Sequence, residues 1–240
     1  MSVMVPAKAE LKLLKNSFHI LKQLLIYALL STGVFLMLRI ITAYFAFDDQ
    51  NGFLQVKQDY IHNSFWKTAF YIHVFSSIFT LVAGFTQFSG YILKKYRRVH
   101  RFMGRLYAYD ILLINFPAGM VIALYANGHW PTKTAFVILD ILWFFFTYKA
   151  VAAVRKGDII THRKFMILSY ALTFSAVTLR TWKLILANTL HLPPLTLYMT
   201  DAWMGFVPNL LFALWYTRGI KTRKGMGNRQ RARAIGLNRS

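Results

Sequence analysis

The chain has 240 residues, of which 56% are hydrophobic and only 15% are charged. Soluble domains carry about a quarter charged residues, so this composition excludes an ordinary soluble protein and indicates a membrane protein. The formal net charge of +21 raises the question of a nucleic-acid partner, and the absence of cysteine excludes disulfides, iron–sulfur clusters and thiolate metal sites.

The N-terminal segment, residues 1–23, is predicted to be a basic amphipathic lead-in on the cytoplasmic side. Four apolar residues at helical spacing share one stripe, namely Leu11, Leu14, Phe18 and Leu21. The lysines of this segment lie off the stripe. This pattern indicates a short helix that lies on the membrane surface. The apolar run that follows is too long for the core of a signal peptide, so we expect it to remain as an anchor.

Six predicted transmembrane spans occupy residues 24–217, each near the roughly 20 residues that a helix needs to cross a bilayer. They cover residues 24–47, 68–93, 104–126, 134–154, 165–187 and 201–216. The predicted fold is therefore an all-α polytopic transmembrane bundle. Pro117 and Pro208 interrupt backbone hydrogen bonding in spans three and six, which can make room for a ligand. Residues 218–240 are basic and aperiodic, which predicts a disordered cytoplasmic tail.

The lysines and arginines predict the orientation of the bundle. Most of the 29 lie in residues 1–23, 94–105, 149–164 and 218–240. The opposite loops hold only Lys57, Lys67 and Lys133. The positive-inside rule then places both termini in the cytoplasm, with the chain in a bacterial inner membrane. The positive charge thus marks topology and contacts anionic lipid headgroups at the cytoplasmic face. A nucleic-acid role for the tail is a minor alternative.

Ionisable residues inside a span are costly, so they usually pair with one another or face a cavity. Counting about 1.5 Å per helical residue, five such groups from five spans fall at one depth near the outer face. They form a predicted outer polar cluster of Arg39, His73, Asp140, Arg180 and Asp201. The cluster is either a site for a lipid, a quinone headgroup or a small anion, or a set of structural pairs such as Asp140 with Arg180.

Two junctions at the inner face repeat one theme, a His-Arg pair followed by Met and then Tyr. They are RRVHRFMGRLY at residues 97–107 and THRKFMILSY at residues 161–170. His100 and His162 are 62 residues apart, which is room for one helical hairpin, so a repeated hairpin is the simplest account. An inner polar set accompanies the two histidines: Tyr107, Asp110 and Ser169.

Axial haem ligands in a helical bundle are histidines on facing helices. His100 and His162 lie at equal depth on spans three and five, so they are predicted to bind haem b, with no metal site beyond the haem iron. The architecture resembles that of cytochrome b561, which has six spans and a four-helix core. That family carries histidines on four core helices, whereas span four here has none. The alternative is that each His-Arg pair anchors its span to phosphate headgroups.

Enzymatic activity is left open by the sequence. Asp140 and His73 are candidates for acid–base chemistry on a lipid-borne substrate. No nucleophile elbow, phosphate-binding loop or metalloprotease motif occurs. A non-catalytic role, as a subunit, assembly factor or transporter with protein partners in a membrane complex, therefore stands beside the redox hypothesis.

Several segments between His73 and Trp215 carry a family resemblance. They are YIHVFSS around His73, GFTQF at 84–88, HRFMGRLY at 100–107, RKGDIITHRKFMILSYALTFSAVTLR at 155–180 and AWMGFVPN at 202–209. In these segments the chain resembles a prokaryotic membrane-protein family catalogued as domain of unknown function 2306. The resemblance implies a bundle of six or seven helices and adds weight to His100, His162 and Arg180. It implies no particular activity.

Overall fold

The computed structural model describes residues 7–220, and their side chains except those of residues 7–16 and 19. This part of the chain is entirely helical and contains no β-strand, which confirms the predicted all-α class. The helix predicted in residues 1–23 forms the first part of α1, which runs without a break over Ala7–Thr42. In its predicted apolar stripe, the side chains of Leu11 and Leu14 lie outside the described residues, and Phe18 and Leu21 are exposed. The predicted tail lies outside them from residue 221 onward.

Four described helical segments are long and apolar enough to cross a membrane: Ile20–Ala46, Ser64–Gln87, Arg97–Leu124 and His129–Arg155. They correspond to the first four predicted spans. The first of them combines most of helix α1 (Ala7–Thr42) with a 3-10 turn at Ala43–Ala46. The integral membrane character inferred from composition therefore has a structural counterpart.

Nine further α-helices follow α1 in the described residues, and most of them are joined by short connections. They are α2 (Ser64–Gln87), α3 (Gly90–Lys95), α4 (Arg97–Tyr109), α5 (Phe116–Leu124), α6 (His129–Arg155), α7 (Ile159–Thr173), α8 (Ser175–Thr189), α9 (Pro194–Met204) and α10 (Val207–Arg218). Side-chain oxygens of Asn63, Ser89 and Asp158 accept hydrogen bonds from free N–H groups at the starts of α2, α3 and α7. These caps determine where the three helices begin.

A π-helical segment, Asp110–Asn115, connects α4 to α5 within the third span. Pro117 lies in the first turn of α5 and has no N–H group, so the regular α-helical hydrogen-bond pattern cannot continue through it. The N–H of Phe116 instead bonds to the carbonyl of Ile111, five residues earlier. Such segments inside α-helices are rare and often lie at functional sites.

The last two predicted spans are each divided into two helices. α7 and α8 meet at Phe174, and α9 and α10 are separated at Gly205, shortly before Pro208. The Thr178 hydroxyl donates to the Gly205 carbonyl at 2.6 Å, and the Asn209 amide donates to the Thr178 hydroxyl at 2.8 Å. Broken helices are tolerated at membrane depth where side chains satisfy the freed backbone groups in this way.

Large apolar side chains cover the outside of the bundle, whereas small residues lie where helices approach closely. Phe35, Leu113 and Leu184 are 66%, 69% and 66% exposed, while Ala83 and Ala150 are 1% and 0% exposed. Lipid tails are as apolar as leucine, so helices in a membrane associate through close packing and polar contacts. The described surface and interior both follow this rule.

The loop between the first two spans is anchored by a buried lysine. Lys57 is 1% exposed and donates hydrogen bonds to Asn127 Oδ1 at 2.6 Å and to the carbonyl of Tyr125. Its ammonium nitrogen lies 5.1 Å from the centroid of the Tyr60 ring. Burial, with a smaller effect of the Lys133 charge, lowers the pKa of Lys57 from 10.5 to about 8.

Candidate functional site

The two predicted inner histidines occupy matching places on α4 and α7. Tyr107 follows His100 by seven residues and Ser169 follows His162 by seven, so each pair is two helical turns apart on one helix face. The hydroxyl oxygens of Tyr107 and Ser169 lie 2.7 Å apart, so α4 and α7 are in register at that level. The charge of His100 also acts electrostatically on His162, which places both rings in one neighbourhood.

Each histidine ring is oriented by a backbone carbonyl of the preceding span. Nδ1 of His162 lies 2.9 Å from the carbonyl oxygen of Ala150, and Nδ1 of His100 lies 3.4 Å from that of Thr86. A carbonyl oxygen can only accept, so Nδ1 carries the proton in both rings. Neither Nε2 atom has a hydrogen-bond partner among the described residues. In the neutral form of each ring, Nε2 then carries the lone pair, as it does in a metal-bound histidine.

Exposed arginines lie close to the two histidines in sequence on the same helices, namely Arg97, Arg98, Arg101 and Arg105 on α4 and Arg163 on α7. No group of three or more His, Cys, Asp or Glu side chains in the described ranges has the geometry to hold a metal ion. A bare metal ion needs more protein ligands than two. A planar cofactor that brings its own equatorial ligands needs only two axial nitrogens. The basic side chains suit the carboxylates of such a cofactor and lipid phosphates equally well.

A buried hydroxyl network lies two turns from the histidines and joins α4, α6 and α7. Besides Ser169, the Tyr107 hydroxyl contacts Thr173 at 2.8 Å, and Ser169 contacts the Thr147 hydroxyl at 2.7 Å. Trp143 Nε1 donates to Thr173 at 3.0 Å. Two members of the predicted inner polar set, Tyr107 and Ser169, are therefore in direct contact. No local pattern marked the three partners on α6 and α7, because they become neighbours only through helix packing.

Asp110, the third member of the inner polar set, belongs to a different group of residues at the π segment. It is 8% exposed and lies beside Asn115, which is 0% exposed, and Ser76 of α2. The Asn115 amide and the Ser76 hydroxyl face the Asp110 carboxyl as potential hydrogen-bond donors. None of them reaches hydrogen-bond geometry, so Asp110 Oδ2, both polar atoms of the Asn115 amide and Ser76 Oγ are buried without a bonded partner among the described residues. Asn115 had a sequence signal, a polar residue in an apolar run next to Pro117.

The predicted outer polar cluster is only partly assembled. His73 and Asp201 both lie within electrostatic range of Arg180. The ring of His73 adjoins the backbone of Asn115, and its Nδ1 atom is buried without a hydrogen-bond partner among the described residues. The Arg39 side chain is exposed on α1, so it does not enter the cluster.

Asp140 also lies apart from the cluster, and the pairing of Asp140 with Arg180 weighed above is wrong. The guanidinium of Arg180 donates to the carbonyl of Ala176 at 2.6 Å. Asp140 packs against Gly119 of α5, where a Cβ atom would lie 3.0 Å from its Oδ1 atom, and its Oδ2 atom is buried without a partner in the described part. Equal depth on two helices did not put the two side chains on facing surfaces.

The helical spans, apolar exterior and polar interior define an α-helical integral membrane protein. A family model described as predicted membrane protein, domain of unknown function 2306, matches residues 70–217. The chain belongs to this family, as its segments had indicated. Neither the search of curated proteins nor the search of solved structures found a match, so the similarity to cytochrome b561 stays a prediction.

Proposed function

We propose that this protein is a membrane electron carrier that holds a b-type haem between His100 and His162. The observation that carries the proposal is the shared orientation of the two rings. Each Nδ1 atom faces a backbone carbonyl, and each Nε2 atom is left without a partner among the described residues. The in-register contact of Tyr107 with Ser169, two turns along the same helices, supports a common level for both rings.

The residues around the pair have separate tasks in this proposal. The carbonyls of Thr86 and Ala150 fix the tautomer and orientation of the rings, since an oriented N–H raises the basicity of the opposite nitrogen. The exposed arginines of α4 and α7 would bind the cofactor carboxylates. Haem supplies one-electron chemistry when bound. The apolar body of the bundle excludes water from one side of the site.

The proposal includes six spans with both termini in the cytoplasm of a cell with an inner membrane. The four long helices supply the first four spans, and we assign the pairs α7–α8 and α9–α10 to the fifth and sixth. The basic residues that flank α4 and α7 lie at the end of the bundle that carries His100 and His162. By the positive-inside rule this end faces the cytoplasm, so the electron carrier would exchange electrons there.

An absorption spectrum of the purified full-length protein tests the proposal. Protein produced with ample haem is recorded oxidised and then reduced with dithionite. We expect a Soret band and sharp α and β bands on reduction, lost in His100→Ala and in His162→Ala. His62→Ala is the matched control, because His62 is exposed in the loop between spans one and two. A featureless wild-type spectrum, or bands that survive both inner substitutions, would overturn the assignment.

A second candidate function rests on the grouping of His73, Arg180 and Asp201. The Arg180 guanidinium, with the His73 imidazole and the Asp201 carboxyl in electrostatic range, makes a site for a lipid headgroup or another small anion in a non-catalytic membrane subunit. Thermal stabilisation of the wild type, but not of Arg180→Gln, by anionic lipid in detergent would support it. Equal stabilisation of both proteins would count against this site.

A further inference from the structure

The π segment of the third span collects buried polar atoms that nothing in the described part satisfies. Four side chains contribute them: His73 and Ser76 from α2, and Asp110 and Asn115 from the segment itself. In a bilayer, a buried polar group without a hydrogen-bond partner is strongly unfavourable, because it loses its hydration and gains no bond in return. Four such groups side by side therefore point to an occupant that bonds to them.

Asp110 is an acid with no neighbouring cation. The groups that act on its carboxyl are the Asn115 amide and the Ser76 hydroxyl, and no Lys or Arg charge from the described residues does so. The strongly shifted, buried titratable groups on the helices packed around the segment are His73 of α2, Tyr107 of α4 and Asp140 of α6. None of them is a permanent cation. The lysines and arginines of these three helices are exposed or only half-buried. An isolated buried carboxylate is very costly, so such a group binds either a proton or a cation.

The mixture of donors and acceptors decides between a proton and an alkali cation. A cation would bind to oxygen atoms only and would leave the Asn115 N–H groups without a partner. Water both donates and accepts, and a buried water molecule typically makes about three hydrogen bonds to such groups. Protonated Asp110 is itself a donor. Water and one proton together satisfy all four side chains.

We propose that Asp110 is an intramembrane proton-binding site, filled through a small buried water cluster that His73, Ser76 and Asn115 hold in place. The ligand is a proton carried by water. His73 adjoins the backbone of Asn115 and lies toward Arg180, so it connects the cluster to the outer polar residues. On the other side, Asp110 acts electrostatically on Tyr107, the first member of the closed hydroxyl network.

Infrared difference spectroscopy of the whole purified protein tests this site directly and needs no haem. In the difference between spectra taken at acidic and at mildly alkaline pH, we expect a carbonyl band of a protonated carboxylic acid for the wild type that is missing from Asp110→Asn. The control Asp59→Asn alters an exposed acid in the loop between spans one and two and keeps the band. On transfer to heavy water the band shifts, and it shifts more slowly in His73→Phe, because the water path is interrupted.

Two results would overturn the proposal. If Asp110→Asn removes no carboxylic acid band, the side chain is ionised and paired with a cation. If the band is present but insensitive to heavy water, the acid is sealed from water and the cluster is not a proton site. The asparagine side chain has nearly the shape of aspartate, but Asp110→Asn can still fold poorly. Ser76→Ala therefore serves as a second variant that leaves the acid in place. Loss of that hydroxyl is expected to move the band without removing it.

Discussion

The side chain of Tyr170 on α7 crosses α2 at Gly84, and its hydroxyl donates a hydrogen bond to the carbonyl of Leu81 at 2.7 Å. A Cβ atom at position 84 would overlap that hydroxyl. Both residues are within the buried centre, with Tyr170 only 6% exposed. The contact joins the second span to α7, which carries His162, and depends on the absence of a side chain at one position.

Gly84→Ala is therefore expected to destabilise the protein by about 1–3 kcal/mol, the usual cost of overpacking a well-packed site. Thermal unfolding in detergent measures the change. Gly90→Ala is the matched control, because nothing lies within 4 Å of a Cβ atom there. Adding Tyr170→Phe to Gly84→Ala should recover part of the loss by removing the overlapping oxygen. A midpoint equal to that of the wild type would contradict the close approach.

The hydroxyl network predicts a second stability effect. Thr173 accepts from Trp143 Nε1 and contacts the Tyr107 hydroxyl, so Thr173→Val leaves the indole N–H buried without that partner. We expect a loss of about 1–3 kcal/mol, the cost of an unsatisfied buried group, and a changed tryptophan emission spectrum. Thr189→Val serves as the control, since Thr189 is exposed and bonds only to its own helix. Equal effects of both substitutions would argue against the network.

Lys57 predicts a pH dependence in the loop between spans one and two. Its pKa is about 8 in the folded protein and 10.5 without burial. Between these values the unfolded chain binds more protons, so this group makes the folded state more stable as the pH rises through that window. Below pH 8 both states are protonated and the contribution no longer varies. The rates at which a protease cleaves this loop in the wild type and in Lys57→Met should therefore differ at neutral pH and become equal at high pH.

The measured quantity is the difference in cleavage rate between the wild type and Lys57→Met at each pH, because other lysines and tyrosines titrate in the same range in both proteins. Lys133→Gln removes a neighbouring positive charge and should move the window for Lys57 to higher pH. A wild-type cleavage rate that tracks Lys57→Met at every pH would show that the buried ammonium group does not control the loop.

The six-span topology predicts a labelling pattern that the natural absence of cysteine makes simple to measure. Single cysteines at Asp59 and Asn188, both exposed, should react with a membrane-impermeant maleimide in intact cells. A cysteine at Lys156, also exposed, should react only after the membrane is opened. Labelling of Asn188→Cys only in opened cells would mean that α7 and α8 do not form a span.

Local patterns predicted the parts of the structure that depend on local physics. Span lengths, hydropathy and the break at Pro208 follow from hydrogen bonding within one helix, and the structure reproduces four of the spans and that break. Register along α4 and α7 also follows from local sequence, because seven residues return to one face of any helix. Tyr107 and Ser169 therefore belong to one predicted polar set, and their hydroxyl groups are in contact.

Facing surfaces were not predictable in the same way. Depth along a helix is a one-dimensional quantity, and it placed Arg39, Asp140 and Arg180 together although their helices turn them in different directions. The rotation of each helix is decided by packing with residues distant in sequence. Ser76 was missed for this reason, since its significance arises only when α2 lies against the π segment.

By itself, the sequence determined that the protein is a helical membrane protein, where its first four spans lie and which residues are polar within them. These properties follow from transfer free energies and from the helix repeat, both of which act within a single segment. Only the tertiary structure decided which polar groups meet, which of them are satisfied and which are left open at Asp110. Satisfaction of a buried group is a property of two or more helices, so no single segment contains it.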